Sequence, residues 1–174
     1  WDLDGGALMN QASHYVDLLH WLVGPVDMVS ASTSTRGRNI EAEDSAVMQL
    51  RWKNGALGTM AVTMLTYPKN LEGSITILGE KGTVKIGGKA VNKIETWEFE
   101  DQSTDDDNIS KANYETDSVY GFGHSIYYKN MIDVLEGKNR EICTGKDGLK
   151  SLEILIAAYM SARDNKNVGL PLDF

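Results

Sequence analysis

The sequence contains one cysteine, Cys143, in 174 residues. A lone thiol cannot close an intrachain disulfide, and no Cys/His zinc spacing surrounds it. Secreted domains usually carry paired cysteines, so a cytoplasmic protein is expected. No apolar run approaches the ~20 residues that span a bilayer, and no signal-peptide pattern is visible. No membrane partner is therefore expected. Positive charge is also scarce. Lys and Arg number 17 against 25 Asp and Glu, a formal net charge of -8. An acidic domain repels a phosphate backbone, so no general nucleic-acid partner is expected, although a local pocket for a diphosphate stays open.

Several catalytic fingerprints are missing as well. No Gly-x-Gly-x-x-Gly follows a strand, and the run from Gly82 to Gly88 falls in a hairpin context. There is no Gly-x-Ser-x-Gly elbow and no His-Glu-x-x-His helix. Glu41, Glu43 and Asp44 form an acidic patch without a second type of ligand, so no metal is expected. No internal repeat is present.

What is there reads as a globular domain, with 41% apolar and 24% charged residues and enough length to bury a core. Asp4-Gly5-Gly6 is a flexible lead-in to a periodic stretch over residues 7–23. At 100° per residue, Leu8, Ala12, Tyr15, Val16, Leu19 and Leu22 cluster on one side of a helix, with Asn10, His14, Asp17 and Trp21 opposite. Gly24-Pro25 stops it.

Residues 26–35 alternate with Ser and Thr like a half-buried strand. Residues 46–52 and 56–65 flank Asn54-Gly55, a hairpin signal whose type I′ turn needs positive φ at both positions. Residues 74–78 and 83–86 flank Gly79-Glu80-Lys81-Gly82, a second hairpin, and residues 91–99 supply a further strand. Together these predict one antiparallel sheet of about five or six strands. Residues 101–113, with Asp105-Asp106-Asp107, read as a solvated loop. A helix near 123–136 is expected to bury Tyr128, Met131, Ile132 and Leu135. A last helix near 146–163 is expected to bury Leu149, Leu152, Leu155, Ile156 and Tyr159, with a capping-box start at Thr144 and Asp147. The predicted fold is α+β, a mostly antiparallel sheet with helices on one face.

Three places can carry chemistry. Asn10 and His14 lie one helical turn apart, and Asp17 lies three residues beyond, so all three project from one face. A neutral imidazole can take a proton from an alcohol near neutral pH, and a nearby carboxylate orients it and favours its protonated form. Asn10 and Gln11 can hydrogen-bond sugar hydroxyls. On spacing alone, however, such a stripe is usually just the solvated face of an amphipathic helix. Tyr120-Gly121-Phe122-Gly123-His124 is either a ligand loop or a glycine-rich helix cap. Thr66-Tyr67-Pro68-Lys69-Asn70 is either an ordinary connection or a loop whose Lys69 meets a carboxylate or phosphate.

The run Gly5-Gly6-Ala7-Leu8-Met9-Asn10-Gln11-Ala12-Ser13-His14-Tyr15-Val16-Asp17 resembles the signature helix of the Gfo/Idh/MocA oxidoreductases. The resemblance continues through Asp44-Ser45-Ala46, Asn54-Gly55-Ala56, Gly79-Glu80-Lys81-Gly82-Thr83 and the closing helices, so it covers essentially the whole chain. Asn10 stands where the family usually has Asp, Ala12 where it has Gly, and the lead-in is one glycine short. The Leu-Met-Asn-Gln form, the loop from Thr66 to Gly73 and the loop from Ser118 to His124 resemble the UDP-N-acetylglucosaminuronate 3-dehydrogenase subgroup.

The resemblance implies a C-terminal substrate-binding and oligomerisation domain spanning 1–174, with an N-terminal Rossmann domain that binds NAD lying outside this chain. It implies oxidation of the C3 hydroxyl of a UDP-sugar uronate to a 3-keto sugar, for surface-polysaccharide biosynthesis. His14 is then the expected proton acceptor, Asn10 holds the sugar and Asp17 tunes His14. Gln11, Tyr67, Lys69, Asn70, Tyr120 and His124 are expected substrate contacts. A homo-oligomer formed through the sheet face is also implied. An NAD(P)-dependent dehydrogenase of another sugar or inositol, or a non-catalytic oligomerisation or sugar-binding module, are the competing readings.

Overall fold

A computed structural model describes residues 5–101, 103, 106–116 and 122–173. Along the chain run a π-helical turn (Ala7–Ala12), α1 (Ser13–Val23), β1 (Val26–Ser34), β2 (Ser45–Trp52) and β3 (Leu57–Thr63). Then come β4 (Ile75–Gly79), β5 (Gly82–Gly87), β6 (Lys93–Phe99), α2 (Ile109–Ala112), α3 (Gly123–Leu135), α4 (Gly145–Asp164) and β7 (Val168–Gly169). The chain forms two compact units, one of Trp1–Thr66 with Cys143–Phe174 and one of Tyr67–Ile142.

The first unit holds a four-stranded antiparallel sheet in the order β3-β2-β1-β7. Side chains alternate across a strand. In β2 this buries Ala46, Met48, Leu50 and Trp52 and exposes Val47, Gln49 and Arg51. Burying a side chain the size of Met48 or Leu50 contributes ~1.5–3 kcal/mol. The inner face meets Leu8, Ala12 and Val16 from the first helical segment and Ile154, Leu155, Ala157 and Ala158 from α4 in one core.

The register of α4 differs from the expected one. Of the predicted inward residues, Leu155 is buried, whereas Leu149 is 57% and Leu152 39% exposed. The buried stripe is Ser151, Ile154, Leu155, Ala157, Ala158 and Ser161. Small residues let the helix backbone approach β1, and Ser161 completes the contact. Its hydroxyl accepts from the Ala31 N–H at 2.9 Å and donates to the Lys166 carbonyl at 2.6 Å. The start of α4 is the predicted capping box of Thr144 and Asp147.

The Asn54-Gly55 hairpin forms, but not through a type I′ turn. Only Gly55 of the pair has positive φ, at 89°. Gly55 N–H donates to Trp52 O and Trp52 N–H to Ala56 O, which closes a three-residue loop with glycine last. Asn54 instead accepts from the Ala56 N–H and donates to the Val23 carbonyl.

The second unit holds a separate three-stranded antiparallel sheet, β4-β5-β6. The predicted single sheet is thus two sheets. The stretch after β3 carries no ladder, and β4 then pairs with β5 through the predicted two-residue turn joining Gly79 and Gly82. The expected buried stripe of α3 is also corrected. Tyr128, Ile132 and Leu135 are exposed, Leu135 at 84%. The buried residue of α3 is Asn130, whose amide donates to Arg140 O at 2.9 Å and accepts from Ile142 N–H at 3.1 Å. The α3 register is therefore tied to a polar loop closure. Residues 106–112, expected as loop, contain a short 3-10 turn followed by α2.

Candidate active site

The lead-in to α1 is shaped by two glycines. Gly5 has φ 72°, a conformation that favours glycine. At Gly6 a Cβ would lie 2.1 Å from Glu43 Oε2, so the buried carboxylate occupies the space of any larger residue. The first six helical residues are π-helical rather than α-helical. Such wider turns are frequent at functional sites. Leu8, Ala12 and Val16 are buried on one side, while Asn10, Gln11, His14 and Asp17 are exposed. The predicted polar stripe of Asn10, His14, Asp17 and Trp21 is thus exposed along one helical segment, with Gln11 exposed beside it.

Each has a distinct local setting. Asn10 Oδ1 accepts from Gln11 Nε2 at 2.7 Å, and Asn10 O accepts from Ser13 Oγ at 3.2 Å. Asp17 Oδ1 accepts from Ser151 Oγ at 2.5 Å. Among the described residues no hydrogen bond joins Asp17 to His14, so the carboxylate is anchored to α4. The exposed His14 imidazole makes no hydrogen bond to another described side chain, which leaves both ring nitrogens open to an incoming molecule.

Glu43, read in the sequence only as part of an acidic patch, is a structural centre of this site. Its Oε1 accepts from Leu8 N–H at 2.7 Å and from the Tyr159 hydroxyl at 2.9 Å. Tyr159 in turn accepts from Met9 N–H at 3.2 Å. Burial, reinforced by the Glu43 carboxylate, pushes the Tyr159 phenol up to about 12. Asp44 has its own role: Oδ2 accepts from the backbone N–H groups of Arg36, Gly37 and Arg38 and fixes that loop. The Gly37 donor first, and then its neighbours, hold this carboxyl below its usual range. Only Gly6 hinted at Glu43 in the sequence, because a glycine there demands a close neighbour.

The remaining predicted contacts belong to the second unit. Tyr67, Lys69 and Asn70 are exposed on the connection between β3 and β4, where the Tyr67-Pro68 peptide is cis. His124 is exposed in the first turn of α3. Tyr120 lies outside the described residues. No cluster of potential metal ligands occurs among the described residues, and no helix there is long and apolar enough to cross a membrane.

Residues 1–170 match the oxidoreductase family, C-terminal alpha/beta domain, of the Gfo/Idh/MocA group. The chain belongs to that family. Among solved structures, it is similar to the WlbA dehydrogenase of Bordetella pertussis in complex with NADH and UDP-GlcNAcA. The identity is 62% over 99% of this chain and 50% of that one, with a TM-score of 0.94. The WlbA dehydrogenase of Chromobacterium violaceum, in complex with the same two molecules, is 57% identical over 100% of this chain and 48% of that one, with a TM-score of 0.91. An uncharacterized oxidoreductase of Synechocystis is 32% identical over 95 residues, 48% of this chain and 25% of that protein. The chain spans about half the length of the dehydrogenase structures it matches.

Proposed function

We propose that the full-length protein is an NAD-dependent dehydrogenase oxidising the C3 hydroxyl of a UDP-N-acetylamino sugar uronate to the 3-keto sugar, for surface-polysaccharide biosynthesis. This chain supplies its substrate-binding half. The observation that carries the reading is similarity along 99% and 100% of this chain, at 62% and 57% identity, to about half of each of two dehydrogenases in complex with NADH and UDP-GlcNAcA.

Oxidising a secondary alcohol removes a proton from oxygen and a hydride from carbon. NAD, when bound, takes the hydride. In this reading the cofactor is bound by an N-terminal Rossmann half of the full-length enzyme. This chain handles the sugar and the proton. His14 accepts the proton of the C3 hydroxyl through its exposed, unengaged imidazole. Asp17, held by Ser151, stabilises the imidazolium as it forms. Asn10, beside Gln11, holds a sugar hydroxyl. Tyr67, Lys69, Asn70, Tyr120 and His124 are further proposed substrate contacts, and the Lys69 ammonium has the charge to meet a carboxylate or phosphate.

The reading extends to a cytoplasmic homo-oligomer built on the outer sheet face. The outer face carries Val47, Gln49 and Arg51 of β2, Leu57, Thr59 and Ala61 of β3, and Ser30 and Ser32 of β1, and the small side chains around Val47 suit close approach of a second sheet.

The test is a panel of UDP-sugars and NAD with the full-length protein, read at the nicotinamide band and by mass of the keto product. UDP-N-acetylglucosaminuronic acid should be the best substrate, and the isolated chain should reduce no NAD. Preferential turnover of a free sugar or inositol would sink the substrate assignment.

A further inference from the structure

Glu43 lies on the segment between β1 and β2 and is only 5% exposed. A carboxylate is seldom buried without partners. Among the described residues no ion pair of Glu43 occurs, and its partners are the donors at the start of the His14 helix. A helix begins with N–H groups that have no acceptor within the helix. Here Gly6 precedes the first turn and has no side chain to cap it. Three consecutive donors are instead satisfied from afar. Ala7 N–H donates to the Glu43 carbonyl at 2.9 Å, Leu8 N–H to Glu43 Oε1 at 2.7 Å and Met9 N–H to the Tyr159 hydroxyl at 3.2 Å. The Tyr159 hydroxyl closes the set by donating to the same Glu43 oxygen at 2.9 Å. The negative charge also sits at the positive end of the helix.

The next residue in the chain is Asn10, whose N–H donates back to Gly6 O at 3.0 Å. The clamp therefore fixes the turn that carries Asn10 and sets its angle to His14. Gly6 fits the same device, since the carboxylate packs where its Cβ would be.

We infer that Glu43 and Tyr159 are positioning residues, a carboxylate–phenol clamp that holds the π-helical turn so that Asn10 and His14 meet the sugar in register. The inference rests on the dehydrogenase reading. Neither residue touches the sugar in this scheme. Their effect falls on the chemical step, because small misplacements of reacting groups cost far more in rate than in affinity.

The experiment uses the full-length protein with Tyr159→Phe, Glu43→Ala and Glu43→Gln. Two readouts are taken: steady-state kinetics with UDP-N-acetylglucosaminuronic acid and NAD, and amide hydrogen exchange of peptides covering residues 7–14. Tyr159→Phe should lower kcat about tenfold and Glu43→Ala roughly a hundredfold, with KM for NAD unchanged. Glu43→Gln keeps an acceptor oxygen and should restore kcat to within a few-fold of wild type. In the two damaging variants, exchange should rise over residues 7–14 while β2 and the buried part of α4 stay protected. Wild-type kcat in Tyr159→Phe and Glu43→Ala would overturn the inference, as would a fall in kcat without faster exchange in that turn. If Glu43→Ala does not fold, Tyr159→Phe alone decides, since it removes one oxygen. A wild-type protein that turns over no UDP-sugar overturns the dehydrogenase reading, and the exchange of the same variants still decides whether the clamp exists.

Discussion

The Ser151 hydroxyl donates to the Asp17 carboxylate across 2.5 Å. The bond ties α1 to α4 one helical turn beyond His14. It gives Asp17 a fixed position that does not depend on His14. Ser151 is buried and Asp17 is exposed, so the bond is anchored at the α4 end.

Replacing Ser151 by Ala should remove that anchor at modest thermodynamic cost. Asp17 can regain water, so the loss is expected at about 0.5–1.5 kcal/mol. A domain of this size should lose roughly 2–4 °C in Tm for each kcal/mol. The catalytic effect should be larger in proportion, with kcat of the full-length enzyme reduced several-fold. Scanning calorimetry beside steady-state kinetics checks both. A Tm fall with untouched kcat would make Ser151–Asp17 a purely structural tie.

His14→Ala should leave the full-length enzyme folded and still able to bind NAD, because the side chain is exposed and carries no described partner. Loss of a general base typically costs about 10²–10⁴ in rate. Turnover, circular dichroism and NAD binding measured on one preparation separate these effects. Undiminished turnover would remove His14 from the mechanism.

These expectations show where the sequence was readable. The polar stripe of Asn10, His14 and Asp17 follows from helical spacing, and the burial of Leu8, Ala12 and Val16 behind it uses the same period. The alternation of β2 and the Thr144–Asp147 capping box were legible for the same reason, since each rests on neighbours a few residues apart. The Glu43 clamp was not, because its partners lie 35 and 116 residues away. Two hairpin signals say nothing about whether the hairpins share a sheet, so the split into two sheets was invisible. The α4 register was missed because periodicity favours the largest apolar residues. Close packing on β1 selected Ala157, Ala158 and Ser161.

The capping box gives a stability prediction with a defined sign. Asp147 accepts from the Thr144 hydroxyl at 2.7 Å and the Thr144 N–H at 3.0 Å, and pairs with Lys150 Nζ at 3.1 Å. The Thr144 hydroxyl, then its N–H, lower the Asp147 carboxyl from 3.8 to about 2. The folded value lies below the unfolded one, so the contribution is complete above the unfolded value of 3.8 and is lost as pH falls towards about 2. Asp147→Asn should therefore be less stable than wild type at neutral pH, and the gap should narrow from about pH 4 downwards. Urea midpoints of both proteins from pH 7 to pH 3 provide the measurement. A gap of constant size across that range would contradict the assignment.

The outer sheet face offers the last test. Val47 occupies β2, between Ser32 of β1 and Ala61 of β3, and is 55% exposed. Its neighbours are too small to cover it. If two copies stack through this face, a charge at position 47 would be buried without a partner, which interfaces tolerate poorly. In that case Val47→Glu should give the full-length protein a smaller mass than wild type while the domain stays folded, because the side chain contributes nothing to the inner core. Light scattering coupled to size exclusion reads the mass, and thermal melting confirms the fold. An unchanged mass with an unchanged melt would rule out this face as a subunit contact.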